Sequence, residues 1–420
     1  MKSFKYIKSI ISITVLMSIA LNLTACSTSV KADDLTKGIP ANNVTGKQTD
    51  EKFINNAVDF SIELFKKSLN GDNNNLVSPL SVLIALSMTA NGADGETLTQ
   101  MEKVLGKDIS LDELNEFLYT YVKSLPSEDK SKLTIANSIW FRDYKDNFMV
   151  EKDFLQKNSD YYSSAVYKSP FDDGTVKDIN NWVKKKTDNM IDSILDGIED
   201  DNVMFLINAV AFDARWDEVY MKEDISKGNF NSIDGSVKNV DFMHSSELKY
   251  ITDSMATGFI KPYTNNKYSF VALLPNEDIN IKDYVDTLTG KSFLDIIKSP
   301  EYTHVDAYLP KFSYDYSIKL NDALKALGMP KAFSSEEAEF GRLGKSADGN
   351  IYINEVLHKT FISVDELGTK AGAVTKVEMN CESADMSTVI TVKLDRPFVY
   401  AIIDNSTNLP VFVGTVMGIE

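Results

Sequence analysis

Between Phe53 and Leu69 the apolar residues Phe53, Ala57, Phe60, Leu64 and Phe65 recur at helical spacing, which predicts a helix with one buried stripe. The NGDNNN run at Asn70–Asn75 interrupts it as a turn. Ser78-Pro79 then opens a second helix, with Ser78 as N-cap and Pro79 at the first helical position, where no N–H is needed. Further helices are predicted over 96–105, ended by Gly106, then over 111–124, 177–190 and 317–327, the last ended by Gly328. Leu133 to Phe141 reads as a strand, and Val203 to Phe212 is nearly continuous apolar, as in a strand buried on both faces. From Ile351 onward the chain is mostly strand. Helices dominate the first half and strands the second, which argues for an α+β architecture. No internal repeat and no linker after residue 52 divides it, so residues 53–420 read as one integrated domain.

One strand-like pattern is out of place. In the stretch VDELGTKAGAVTKVEMNCES (Val364–Ser383), alternate positions from Thr369 give Thr369, Ala371, Ala373, Thr375, Val377 and Met379 on one face. The other face carries Lys370, Gly372, Val374, Lys376 and Glu378, and so holds every charge. Period-two alternation of this kind belongs to a half-buried strand. Its small residues and its position are those of a loop. A segment written this way can serve in two states.

Composition narrows the function classes. With 43% hydrophobic and 10% aromatic residues in 420, the chain can bury a large core, and its net charge of −17 argues against a nucleic-acid partner. The first 25 residues stand apart. Lys2, Lys5 and Lys8 precede an apolar run from Ile10 to Leu21, and small residues lead into Cys26. This is the pattern of a secretory signal, and the LTAC ending resembles a bacterial lipobox, which implies a lipid on Cys26 after cleavage. An exported, lipid-anchored protein on the extracellular side of a cell membrane is the expectation. Residues 26–52 are rich in Ser, Thr, Asn, Lys and Asp, and read as a flexible tether. Only Cys26 and Cys381 are present, so a lipidated Cys26 leaves no intramolecular disulfide.

Catalytic and metal motifs are missing. His244, His304 and His358 lie in no HExxH, no CxxC is present, and no GxSxG elbow occurs. GRLGKS (Gly341–Ser346) has the end of a phosphate loop, but Glu339 stands where its first glycine is required. No cofactor, no metal and no enzymatic activity are expected.

Eight segments in order carry a resemblance. LVSPLSVLIALSMTANGADGETLTQM (Leu76–Met101), IANSIWF (Ile135–Phe141), INNWVKKKT (Ile179–Thr187) and FLINAVAFDARW (Phe205–Trp216) are followed by LPKFSYDY (Leu309–Tyr316) and the hinge VDELGTKAGAVT. RPFVYAI (Arg396–Ile402) and PVFVGTV (Pro410–Val416) complete the set, and from about Asn55 to Ile419 the chain resembles the serpin family. The resemblance implies about nine helices around three β-sheets with an exposed reactive loop. It also implies a monomeric suicide inhibitor: a target serine protease cleaves the loop, which then inserts into the main sheet and drags the acylated enzyme along. Glu366, Gly368, Thr369, Ala371, Gly372, Ala373 and Thr375 match the family's hinge. Ser78, Ser81, Asn208 and His358 match a polar cluster beneath the opening sheet, and Trp216, with Glu366, matches the region where insertion begins.

Family spacing, with Glu366 as the seventeenth residue before cleavage, puts the reactive bond at Glu382-Ser383, with Cys381, Asp385 and Met386 as alternatives. The first suits a protease that prefers acidic residues, whereas Met386 suits elastase- or chymotrypsin-like enzymes. Lys370 and Leu367 depart from the family pattern, but both should face outward or lie outside the inserted strand, so they need not block insertion. A non-inhibitory serpin acting as a binding or scaffolding protein remains the alternative.

Overall fold

The computed structural model describes residues 30–369 and 389–420, apart from 126, 129, 144–147 and 348. The signal segment, Cys26, hinge residues Ala371, Gly372, Ala373 and Thr375, and the candidate bonds at 381–386 therefore lie outside the described residues.

In chain order, strand β1 (Asp33–Asp34) precedes α1 (Glu51–Lys67), β2 (Asn75–Val77), α2 (Pro79–Ala90), α3 (Gly95–Leu105) and α4 (Leu111–Ser124). Next come β3 (Ser131–Arg142), α5 (Lys152–Tyr162), β4 (Ala165–Ser169), α6 (Asp173–Lys186), β5 (Met204–Arg215), β6 (Ile225–Asn231) and β7 (Val237–Thr252). The chain continues through β8 (Ala256–Pro262), β9 (Tyr268–Pro275), α7 (Ile281–Thr287), α8 (Gly290–Lys298), β10 (Glu301–Pro310) and β11 (Phe312–Lys319). It closes with α9 (Asn321–Leu327), β12 (Glu355–Val364), β13 (Gly368–Thr369), β14 (Ile390–Lys393), β15 (Phe398–Asp404) and β16 (Pro410–Val416). Nine α-helices and three sheets are thus present among the described residues, as the resemblance implies.

Local chemistry explains several boundaries. Asp50 caps α1 by accepting from the Phe53 N–H at 2.8 Å, and Lys66 and Lys67 face its negative C-terminal end. Every residue of α2 is buried, as its all-round apolar sequence requires, and it packs against β3, β5 and β16. Glu339 accepts from the Glu96 and Thr97 N–H groups at the start of α3. Gly344–Ser346 pairs with Phe148–Val150 as a small separate sheet, so the GRLGKS stretch contributes a strand.

The main sheet runs β1–β4–β3–β5–β13–β12–β11. Strand β5 pairs antiparallel with β3 from Met204 to Ala214, and parallel with β12 through Phe205–Val210 and Glu355–Thr360. Beyond Val210 the two central strands are separated by β13, with Thr369 opposite both Ala214 and Val364. The sheet is therefore closed along its middle and open at one end. A second sheet runs β14–β10–β7–β8–β9–β15–β16–β2, with β6 on β7. Helix α6 covers the other face of the main sheet through Trp182, against Trp140, Tyr167 and Phe205.

The structure corrects four sequence readings. Helix α6 spans 173–186 rather than 177–190, because Asp172 and Thr175 form a capping box and Asp188 and Asn189 take positive φ beyond its end. Residues 317–319 end strand β11, paired with 357–359, and the helix starts only at Asn321. Helices α5, α7 and α8 were not expected; α5 buries only Phe154 and Leu155 as large apolar residues, too few for a visible stripe.

The tether expected over 26–52 is not what the structure has from residue 31 onward. The N–H groups of Lys31 and Ala32 both donate to Asp178 Oδ2 at 2.8 Å, and β1 pairs with β4. Leu35 and Ile39 pack against the core, and Asn42 donates to Asp160. These polar residues find matched partners on the domain, which a reading of composition alone does not reveal.

Candidate functional site

The open end of the main sheet is held by an aromatic bracket. Trp216, immediately after β5, is fully buried. Its backbone N–H donates to Leu367 O at 3.0 Å and its indole N–H to Asp365 O at 2.9 Å. The Tyr220 N–H reaches Glu366 O at 3.0 Å. Three successive carbonyls of the hinge are thereby fastened to one short segment. The Trp216 ring stacks on Tyr263 with 4.5 Å between centroids, and the Tyr263 hydroxyl bonds Thr369 Oγ1 at 2.6 Å. Thr369 is buried between β5 and β12. Gly368 is required by close approach, since a Cβ there would lie 2.1 Å from Ala214 O.

Charged groups back this bracket. Lys311 Nζ lies 2.6 Å from Glu366 Oε2 and holds that carboxyl below its ordinary value. Deeper inside, Lys261 and Glu247 pair at 2.8 Å with side chains only 2% and 8% exposed. The Lys261 ammonium sits 4.5 Å from the Tyr220 ring centroid and 5.6 Å from that of Trp216. Ser245 Oγ donates to Glu247 Oε1 at 2.6 Å. Burial pulls the lysine down, but the Tyr220 oxygen and the Glu247 carboxylate outweigh it and hold the ammonium above its usual value.

A second cluster lies under the middle of the same sheet. His358 on β12 and Asn208 on β5 are direct register partners, and His358 Nδ1 bonds Asn208 Oδ1. Its Nε2 accepts from the Ser78 backbone N–H at 3.0 Å. Both ring nitrogens are used, and burial lowers the imidazole pKa to about 3, so the ring is neutral. Asn208 Nδ2 donates to Ser81 Oγ and to Asn137 Oδ1, while Asn137 Nδ2 donates to Ser81 O at 3.2 Å. Among the described residues the Ser78 hydroxyl has no partner, and Ser78 contributes through its backbone.

Of the residues singled out in the sequence, those that the structure describes fall into these two groups. Glu366, Gly368, Thr369 and Trp216 meet at the mouth of the sheet, and Ser78, Ser81, Asn208 and His358 meet beneath it. Asn208 and Trp216 lie eight residues apart, roughly 26 Å at the rise of a strand. Sequence reasoning missed Asn137, Tyr220, Glu247, Lys261 and Tyr263. The available signals were an Asn within the apolar run of β3 and a Lys within that of β8.

The arrangement is mechanical: two central strands closed by one ladder, with a segment of the right pattern at their opening. A family model described as Serpin (serine protease inhibitor) matches residues 55–419. The fold superposes on a thermophilic serpin, tengpin, in its native state with a TM-score of 0.90 and 57% identity, covering 93% of this chain and 100% of that one. The latent state of tengpin gives a TM-score of 0.80 at the same identity, covering 90% and 100%. An uncharacterized serpin-like protein of Thermococcus kodakarensis is 29% identical over 384 residues, 88% of this chain and 87% of that protein. Members of this family are in general protease inhibitors rather than enzymes. The chain belongs to the serpin family.

Proposed function

We propose that this protein is a suicide-type inhibitor of serine proteases whose loop, once cut at Glu382-Ser383, threads between β5 and β12. The observation that carries the reading is the seam itself. β5 and β12 share a single parallel ladder, and Thr369, the first inward residue of the alternating stretch, already sits buried at its open end. About 16 residues added at about 3.3 Å each carry a tethered enzyme about 50 Å. A dozen new ladder bonds at about 1 kcal/mol net supply on the order of 10 kcal/mol, before apolar burial is added. Glu382 at the cleaved bond selects a protease whose pocket offers a cation to a carboxylate. The signal segment and Cys26 support export with a lipid anchor, which puts the inhibitor at the cell surface facing outward.

The test is incubation with a glutamyl endopeptidase, elastase, chymotrypsin and trypsin, followed by denaturing electrophoresis and mass measurement of the released peptide. A detergent-stable complex with the glutamyl enzyme and a new N-terminus at Ser383 is expected. Simple loop degradation by all four contradicts inhibition. Lipid on Cys26 is checked by labelling the expressed precursor with a radioactive fatty acid, which a Cys26→Ser variant must fail to incorporate.

A further inference from the structure

Strand β3 is paired with β5 along nearly its whole length, but on its other side it has neighbours only near its two ends. β4 lies beside it from Ser138 onward, and a short hairpin strand at Ser127–Glu128 covers Ser131 and Lys132. Residues 133–137 have no strand on that side, and a cavity of about 320 Å³ occupies the gap. Ile135, Ala136 and Asn137 of β3 form one wall, Ile84 and Met88 of α2 line it from beneath the sheet, and Trp182 and Lys186 of α6 stand over it. Ala136 packs with α6, whereas Asn137 reaches Ser81 under the sheet. The opening therefore passes along the edge of β3 from one face of the sheet to the other. Its size falls at the small end of the range for ligand pockets, about 300–1,000 Å³.

Most polar groups of the lining are already spent. Asn137 bonds Ser81 and Asn208, and the Tyr162 hydroxyl donates to Asn115. Asp34, the one acid in the lining among the described residues, accepts from the Thr36 N–H at 3.0 Å and the Thr36 hydroxyl at 2.6 Å. Two groups remain. The Trp182 side chain is only 4% exposed, yet its indole N–H has no acceptor among the described residues. A buried donor of this kind marks a place where an acceptor belongs. The Tyr167 hydroxyl lies close enough to feel the indole dipole without taking up its N–H, and burial keeps that hydroxyl protonated, its pKa pushed up to about 12. One turn along α6 from Trp182, the Lys186 ammonium lies 6.0 Å from the indole ring centroid and, among the described residues, meets no carboxylate. Donors and a cation above, with aliphatic side chains below, match a molecule with an anionic head and an apolar tail. We propose that this cavity binds a small amphipathic carboxylate, whose oxygens accept from Trp182 Nε1 and Lys186 Nζ and whose tail lies against Ile84, Met88 and Ile135. The proposal stands independently of the loop mechanism.

The experiment is titration calorimetry of the full chain with decanoate, decanol and decyltrimethylammonium, each below its micellar concentration. Decanoate is expected to fill one saturable site, decanol to bind about tenfold more weakly, and the ammonium analogue not to compete. Trp182→Phe, which keeps a ring but loses the N–H, should weaken decanoate about tenfold. Lys186→Met, at the exposed mouth, should weaken it about threefold. Val122→Trp enlarges an exposed residue at the rim of the cavity and should abolish binding. Lys185→Met, one residue from Lys186 but outside the lining, should leave the affinity unchanged. Lys186 and Val122 are surface positions, so the test holds even where Trp182→Phe fails to fold. Absence of saturable decanoate binding overturns the proposal and leaves the gap to water. An affinity indifferent to Lys186→Met and Val122→Trp overturns it too, since the fatty acid would then sit elsewhere. So does decyltrimethylammonium binding as tightly as decanoate, because Asp34 rather than Trp182 and Lys186 would then select the ligand.

Discussion

The Lys261–Glu247 pair tests how the bracket at the sheet mouth is held. It lies behind the two aromatic residues that fasten the hinge, at 2.8 Å and almost out of water. Removing one member of a buried pair strands the other charge, at a cost of about 3–5 kcal/mol, whereas replacing both with apolar groups of similar volume is often neutral. Lys261→Met leaves the Glu247 carboxylate with the Ser245 hydroxyl as its remaining donor, and removes an ammonium in cation–π contact with Tyr220. Glu247→Leu leaves the ammonium with the Tyr220 hydroxyl and two ring faces in place of its carboxylate. Each single variant should lose about 3 kcal/mol or more in urea unfolding, and the double variant only about 1 kcal/mol, giving a coupling energy of about 5 kcal/mol. The loss should have a functional counterpart. Tyr220 and Trp216 hold Glu366, Leu367 and Asp365, so Lys261→Met should convert spontaneously to an inserted, inactive form faster than wild type, as followed by native electrophoresis and residual inhibition. Additive single effects, within about 0.5 kcal/mol, would mean that the two charges act independently and that the bracket needs no ion pair.

Other substitutions probe the seam at separate points. Thr369→Arg puts a charge at a buried position bonded to Tyr263, at a cost of several kcal/mol, and should turn the inhibitor into a substrate; undiminished complex on a denaturing gel would contradict the buried-strand assignment. Gly368→Ala meets Ala214 O at 2.1 Å and should expel β13 from the mouth, with a loss of about 1–3 kcal/mol and a red-shifted tryptophan emission, whereas an unshifted spectrum argues against the close approach. His358 gives a pH dependence of defined sign. Its pKa falls from 6.5 to about 3 on folding, so the unfolded chain takes up a proton that the folded one refuses. That stability is complete above pH 6.5 and is lost as pH falls toward 3, about 2 kcal/mol of it by pH 5. His358→Gln should flatten the fall in urea midpoint between pH 7 and pH 5; an equal fall in both proteins would show that other groups titrate there.

Much of the fold was legible because its longest elements repeat one period without interruption. The apolar stripe of α1, the unbroken β5 and the all-buried α2 each specify element and environment together. Elements whose signal is split were not legible. Ser317–Lys319 could extend a helix toward Gly328, and only pairing with Leu357–Lys359 decides for strand. Residues 31–50 carry no period, and their docking depends on Asp178, Asp160 and Glu113, each far away in sequence. The polar cluster was partly legible through Ser78, Ser81, Asn208 and His358, but Asn137 enters only because β3 lies beside β5. At the mouth the hinge pattern was visible, while Tyr263 reaches Thr369 from another sheet, a contact that no local pattern encodes.

The two clusters also explain how one seam can be closed and yet ready to open. Both lie on or directly beside β5: Asn208 links to His358 across the seam at mid-strand, and Trp216 holds the hinge beyond the end of the strand. In the proposed insertion the bonds across the seam that an entering strand must break are between neutral groups, since the imidazole is uncharged and Trp216 and Tyr220 hold backbone carbonyls. The Lys311–Glu366 ion pair on the hinge is part-exposed to water. Neutral hydrogen bonds cost about 1–3 kcal/mol each when left unmade, and entering peptide groups can replace partners at the ladder. The buried charges stand one layer back, at Lys261 and Glu247, where they brace Tyr220 and Trp216 without bridging β5 to β12. Had the seam been closed by an ion pair, each opening would have exposed two desolvated charges and the barrier would have risen by several kcal/mol. Under the proposed inhibitory mechanism, a neutral seam braced by a charged pair lets the intact chain persist, while leaving a gain on the order of 10 kcal/mol from new ladder bonds to decide the outcome once the loop is cut.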